Sequence, residues 1–201
     1  MTEIAMFPLG SVLLPHMPLP LRVFEPRYMA MLRDILGDEP AEFGVTLIER
    51  GQEVGGGDVR TDIGTVAQIG SLDTSGESIL LIAQGVRRFR VEKWLDDAPY
   101  PRAEVSDLPD AEWSDDLTPT LQRADVVVRR VLKLAEEAGE EVRWPADIVL
   151  DDDPAAAAWQ LAAIAPFGPL DQLDLLRSPS IERLMERTID LAEDAETLYS
   201  A

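Results

Sequence analysis

The chain has 201 residues, 46% apolar and 28% charged, which is enough for one generous domain or two small ones around a buried core. Its 38 acidic and 18 basic residues leave a net charge of −20, which opposes binding to nucleic-acid backbones and anionic membranes, since both rely on Lys and Arg. The absence of cysteine excludes disulfides and thiolate chemistry, and the single histidine, His16, excludes a histidine-rich metal site.

The chain opens on an apolar stretch interrupted by Pro8, Pro15, Pro18, Pro20 and Pro26. Proline breaks a helix interior and cannot sit in a central strand, so this stretch reads as short extended pieces joined by fixed turns. Glu3 stands where a secretory signal would carry positive charge, and the prolines break any helical apolar segment, so no signal peptide is expected. No apolar run approaches the roughly 20 residues that span a bilayer. The expected location is the cytoplasm.

Short strands rich in β-branched residues are expected over Ile4–Phe7, Val12–Leu14, Phe43–Ile48, Gly64–Ile69, Ile79–Gln84, Arg88–Trp94 and Arg102–Val105. Turn material at Gly55-Gly56-Gly57-Asp58 and Asp73-Thr74-Ser75-Gly76 separates them, and the turn Asp73–Glu77 closes a hairpin. Strands at this spacing suggest a small barrel. One helix interrupts the series, from Pro26 to Leu36: Glu25 suits the positive end of its dipole, Pro26 the first helical position, and Gly37 the stop.

From Trp113 the character becomes helical. Three segments begin alike, at Thr118-Pro119, Asp153-Pro154 and Ser178-Pro179, each with a capping side chain before a proline. The first carries Leu121, Ala124, Val128, Val131, Leu132 and Ala135 at helical spacing; the last carries Ile181, Leu184, Met185, Thr188, Ala192, Ala195 and Leu198. Ala155–Ala165 is a small-residue helix around Trp159, and Pro169–Leu176 a short one. The expected arrangement is a compact antiparallel bundle. Residues 113–201 hold 19 acids and 8 bases, against 19 and 10 in residues 1–112, so the helical half is the more acidic.

No phosphate-binding glycine loop with Lys-Ser or Lys-Thr occurs, no G-x-S-x-G elbow occurs, and neither Lys93 nor Lys133 has a paired serine nearby, so neither ATP hydrolysis nor Ser-Lys proteolysis is expected. The acid runs Asp96-Asp97, Asp115-Asp116, Glu140-Glu141 and Asp151-Asp152-Asp153 lack the alternation and glycine of a calcium loop. The last precedes a helix, where dipole complementation accounts for it. The basic cluster Arg87-Arg88-Phe89-Arg90 reads as cross-strand ion pairing, with Glu25 or Glu49 as partners, rather than an RNA contact.

The elements Phe7-Pro8-Leu9, Leu14-Pro15, Leu19-Pro20-Leu21, Phe24-Glu25-Pro26-Arg27-Tyr28, Met31, Phe43-Gly44-Val45, Gly64-Thr65, and Gly85 with Arg88-Phe89 together resemble the amino-terminal, or substrate-binding, domain of Lon proteases. The resemblance implies an α+β fold, a PUA-like small β-barrel over residues 1–112 followed by an antiparallel helical bundle over 113–201. The chain is similar to the stand-alone bacterial form, without the ATPase and protease domains. One departure is His16, where the family commonly has glycine after the proline.

The function so implied is non-catalytic and related to proteolysis: binding of exposed apolar or unfolded polypeptide segments, with no cofactor and no metal. The alternative is an adaptor that docks one specific folded protein through its acidic helical face. RNA binding by analogy with PUA folds is opposed by the charge, so neither nucleic acid nor membrane is an expected partner. The binding face is expected in a groove between barrel and bundle or in the loop Pro15, His16, Met17 and Pro18, where Met17 would offer adaptable apolar surface. The remaining family-motif residues, Pro8, Leu9, Leu19, Pro20, Phe24, Glu25, Pro26, Arg27, Tyr28, Gly64, Gly85, Arg88 and Phe89, are expected to be structural. Of these, Leu19, Phe24, Tyr28 and Phe89, together with Leu21, are assigned to the core. Arg27 and Arg88 are assigned to ion pairs holding the barrel to its helix.

Overall fold

The proline-studded opening of the chain folds as two strands, β1 (Thr2–Leu9) and β2 (Pro18–Val23), in a computed structural model that describes residues 1–50, 59–76, 78–109 and 112–199. The architecture is α+β, and the chain divides into two units, Met1–Asp110 and Ala111–Ala201.

In the first unit α1 (Pro26–Ile35) follows β2, and then come β3 (Glu42–Arg50), β4 (Val59–Ser75), β5 (Ser78–Trp94) and β6 (Arg102–Asp107). β1 runs parallel to β3 and antiparallel to β6. β3–β4, β4–β5 and β5–β6 are antiparallel, so five strands close a ring. β2 lies outside that ring, paired only with the first half of β5. An edge is where a strand with two prolines can sit without breaking a ladder.

The barrel core is Met6, Val66, Phe89, Ala103 and Val105. Phe89 fits because Gly64 has no side chain: a Cβ there would lie 2.1 Å from the Val45 carbonyl oxygen and 2.6 Å from Phe89 Cζ. Gly85 is constrained the same way, its would-be Cβ 2.6 Å from the Leu14 carbonyl. Helix α1 is joined to the barrel by Tyr28, whose ring stacks on Phe7 at 3.9 Å. Arg27 lies over Tyr28 at 4.5 Å.

Several element expectations change. Val12–Leu14 is not a strand: Leu13 and Leu14 are buried, and Thr65 Oγ1 donates to the Leu13 carbonyl at 2.5 Å, a side chain standing in for a ladder. The two strands expected over 79–84 and 88–94 are one, because the chain passes Gly85 through a register shift opposite Val66 and Ala67 and bends instead of ending. The hairpin turn is tighter than expected, with Ser75 opposite Ser78 and Gly76 at φ 61°. The turn expected at Gly55-Gly56-Gly57-Asp58 lies outside the described residues.

The second unit holds α2 (Thr118–Glu137), α3 (Pro154–Ile164), α4 (Pro169–Leu176) and α5 (Ile181–Tyr199). α2 buries Ala124, Val127, Val128, Val131, Leu132 and Ala135, a single stripe of period 3.6. α3 is covered on nearly every side, which its alanines permit. The buried stripe of α5 stops at Ala192, and Leu198 is exposed. Arg123–Glu193 (2.6 Å) and Arg130–Glu196 (3.1 Å) tie α2 to α5 at the surface. Of the three expected caps only Asp153 caps as read, accepting from the Ala156 N–H at 3.2 Å. Thr118 lies inside its helix after a 3-10 turn, and Ser180 rather than Ser178 caps α5, accepting from the Arg183 N–H at 3.2 Å.

Candidate functional site

Between Ile69 and Gly85 the β4–β5 pairing continues past the ring as a ribbon, which β2 widens to three strands. Cross-strand partners share a face. Pro20 stands opposite Ile82, and Ile82 opposite Ser71; Arg22 stands opposite Leu80, and Leu80 opposite Asp73. On the covered side Leu19, Val23, Leu81 and Ala83 are buried. On the other side Ile82 is 53% exposed and Leu80 42%; Leu72, opposite Leu81 on the first side, is 37% exposed at the ribbon's edge. These residues, with Pro20, Leu21, Arg22, Ser71, Asp73 and Leu81, line a groove of about 480 Å³. The ribbon therefore presents apolar side chains to water while its other face is anchored in the core.

Backbone geometry limits how this ribbon can be used. The Gly85 N–H donates to the Met17 carbonyl at 2.9 Å. The alternation of strand bonding then turns Leu19 and Leu21 toward β5 and the nitrogens of Pro18 and Pro20 outward, where they have no hydrogen to donate. An added strand would find two missing donors along that edge. On the opposite strand the Thr74 N–H is taken by the Asp73 carboxylate at 2.8 Å. What the ribbon offers is its side-chain face.

The loop expected to bind is placed differently. Pro15 and Met17 are buried, His16 is half-buried, and only Pro18 is exposed. Met17 is thus core, and its carbonyl anchors Gly85. His16 has φ 62°, the left-handed conformation that favours glycine.

Of the residues expected to be structural, Pro8, Leu9, Leu19, Tyr28 and Phe89 are buried. Leu21, Glu25 and Arg27 are half-buried, and Pro20 and Pro26 are exposed. Phe24 is a correction: it is 59% exposed, because the odd residues of β2 turn inward and Phe24 falls at the next even position.

The charged pairs also differ in their partners. Arg27 bonds Glu25 at 3.0 Å, so the aromatic stack rather than that ion pair joins α1 to the barrel. Arg88 is buried and donates to the Pro109 carbonyl at 3.1 Å. Arg87 makes a two-pronged pair with Glu42 at 2.8 and 2.7 Å and reaches Asp107 at 3.4 Å, and not Glu25 or Glu49. The bond to Glu42 raises the Arg87 pKa further and holds its charge to the protein's own acids.

Leu80 and Ile82 were legible in one respect. Ile79-Leu80-Leu81-Ile82-Ala83 is an unbroken apolar run, and in a strand such a run makes both faces apolar. Only the covering of one face by the barrel distinguishes which half is left over. Among the described residues no cluster of His, Cys, Asp or Glu is placed to hold a metal ion, and no helix is long and apolar enough to cross a membrane.

Comparison with known proteins agrees with this architecture. The family model of the ATP-dependent protease La (LON) substrate-binding domain matches residues 3–194. A Lon protease of Anaeromyxobacter dehalogenans is 30% identical over 167 residues, covering 82% of this chain and 18% of that protein. Lon protease 2 of Myxococcus xanthus is 31% identical, with the same 82% and 18% coverage. The chain thus spans about a fifth of the length of these relatives. Among solved structures, a Lon N-terminal domain protein from Xanthomonas campestris superposes with a TM-score of 0.67 at 28% identity, covering 94% of this chain and 98% of that one. The N-terminal domain of a Mycobacterium avium complex Lon protease superposes at 0.68 with 18% identity, covering 96% and 99%, a likeness of fold.

Proposed function

We propose, from the premise that this chain belongs to the Lon substrate-binding domain family, that its ribbon face binds exposed apolar segments of unfolded or partly unfolded polypeptides without catalysis of its own. The observation that carries this reading is the pair Leu80 and Ile82, half-exposed on a face whose reverse side is buried. Covering each by an apolar side chain contributes on the order of 1 kcal/mol, so a segment that engages several such residues reaches roughly micromolar affinity only in sum. Weak, additive contacts suit recognition of many unfolded chains. They would not distinguish one folded surface from another.

The test is a fluorescence-anisotropy titration with a labelled, permanently unfolded model polypeptide and with its folded form. Binding is expected for the unfolded form alone. The double substitution Leu80→Ser and Ile82→Ser should weaken it about tenfold while the chain still folds with a melting temperature lowered by only a few degrees, since about half of each side chain already faces water. Unchanged binding by that variant, or equal binding of the folded form, would overturn the reading.

A further inference from the structure

A second apolar opening lies in the helical unit, and its walls are held in place. The segment that leads into α3 is tied to α2 by Arg129, whose Nη1 donates to the Ala146 carbonyl at 2.7 Å and to the Ile148 carbonyl at 3.1 Å. At its other end the Asp151 N–H donates to Gln160 Oε1 of α3 at 2.7 Å, and Asp151 Oδ1 accepts from the Asp153 N–H at 2.9 Å. The backbone is anchored on both sides, yet Val149 is 91% exposed and Val126 of α2 is 56% exposed. Beside them is a groove of about 380 Å³ whose apolar lining is Leu121, Val126, Leu150, Ala157 and Leu161. The carboxylates in its lining are Asp125 and Asp151. Asp125 is paired with Arg129 at 2.7 Å, and the same guanidinium bonds the two backbone carbonyls, so among the described residues Asp151 is the lining carboxylate without an arginine partner and it sets the negative charge of the rim.

We propose that this groove binds a short peptide segment in which apolar side chains alternate with Lys or Arg. The lining calls for apolar groups, and Asp151 calls for a cation beside them. Residues 113–201, with 19 acids and 8 bases, add a field that steers such a segment toward the unit. The same field opposes a second copy of the chain, which would bring a further charge of −20 to the contact.

The experiment is an NMR titration of the whole chain with a synthetic peptide of alternating Leu and Lys, and with its Leu-Glu counterpart, at low and high salt. Amide shifts should concentrate at residues 121–126 and 149–161, for the Lys peptide only, and should shrink as salt is added. Val126→Ser with Val149→Ser should weaken the Lys peptide about tenfold, since both side chains already face water and their loss leaves the fold intact. Asp151→Asn should weaken it several-fold, whereas Asp194→Asn, the same change of charge on α5, should leave affinity within about twofold. Shifts spread over the whole acidic surface, equal effects of the two Asp variants, or an unaffected valine variant would overturn the proposal by reducing it to general charge attraction. Concentration-dependent shifts at Val126 and Val149 without peptide would overturn it in favour of a second copy.

Discussion

The two units of this chain are specified by different physical means. In the barrel unit the decisive positions are places where backbone meets backbone: Gly64 lies against the Val45 carbonyl and Gly85 against that of Leu14. In the helical unit the decisive features are periodic stripes and caps, and its glycine at Gly139 has nothing within 4 Å of a would-be Cβ. A barrel built from close approaches tolerates little addition at those points, while a bundle tolerates surface change so long as its stripe is kept. The difference also bears on function. Strand pairing can leave one face of an apolar run uncovered, as at Leu80 and Ile82, whereas α2 and α5 bury their stripes and leave apolar residues exposed singly, as at Val126 and Leu198.

The sharpest way to break this comparison is Gly64→Ala. The added Cβ would fall 2.1 Å from a carbonyl fixed in the β3–β4 ladder, so a loss of about 3 kcal/mol or more is expected in urea unfolding. Gly139→Ala meets no neighbour and is strained only by φ +83°, costing about 1 kcal/mol. If the two cost the same, close approach is not what distinguishes the units. For the helical side, Asp153→Ala removes the one cap read correctly from the sequence and should cost about 1 kcal/mol.

A third outcome concerns pH. Burial, reinforced by the hydrogen bond its hydroxyl donates to Asp34 at 3.0 Å, raises the Tyr100 pKa above its ordinary 10.0. A proton held more tightly in the folded state stabilises fully below the unfolded value and is lost as pH rises through the folded one. Stability should therefore fall above about pH 10, and Tyr100→Phe should flatten that fall while leaving the rest of the pH profile in place. An unchanged alkaline limb in the variant would remove Tyr100 as its source. The smallest effect is expected for His16→Gly, which releases a left-handed residue and should raise stability by up to about 1 kcal/mol. A loss on that substitution would mean that the imidazole contributes more than its backbone costs.

Much of the fold was legible because its signals are local. Pro26 opened α1, the spacing of Val128, Val131, Leu132 and Ala135 placed the buried side of α2, and Asp153 marked the start of α3. The shift from Ser178 to Ser180 as a cap, and from Thr118 as a cap to Thr118 inside its helix, shows the limit of local signals. More than one nearby hydroxyl could have served, and tertiary packing chose between them. The candidate binding face was less legible. A loop with an exposed-looking methionine drew the reading, but Met17 is buried, while Phe24, read as core, is exposed.

What the sequence determined by itself is the set of constraints each residue carries alone: where proline forbids a helix, where glycine permits a close approach, where apolar residues recur at 3.6. It also carried enough specific motif to place the chain in its family over residues 3–194. What only the tertiary structure decided is which side of each strand is covered. The run Ile79–Ala83 is apolar at every position, and the residues that face water were selected by the register of β5 between β2 and β4. Burial belongs to a side chain's neighbours, and those neighbours come from as far away as Pro20 and Ser71, so no local reading of Leu80 or Ile82 could have assigned them to the surface.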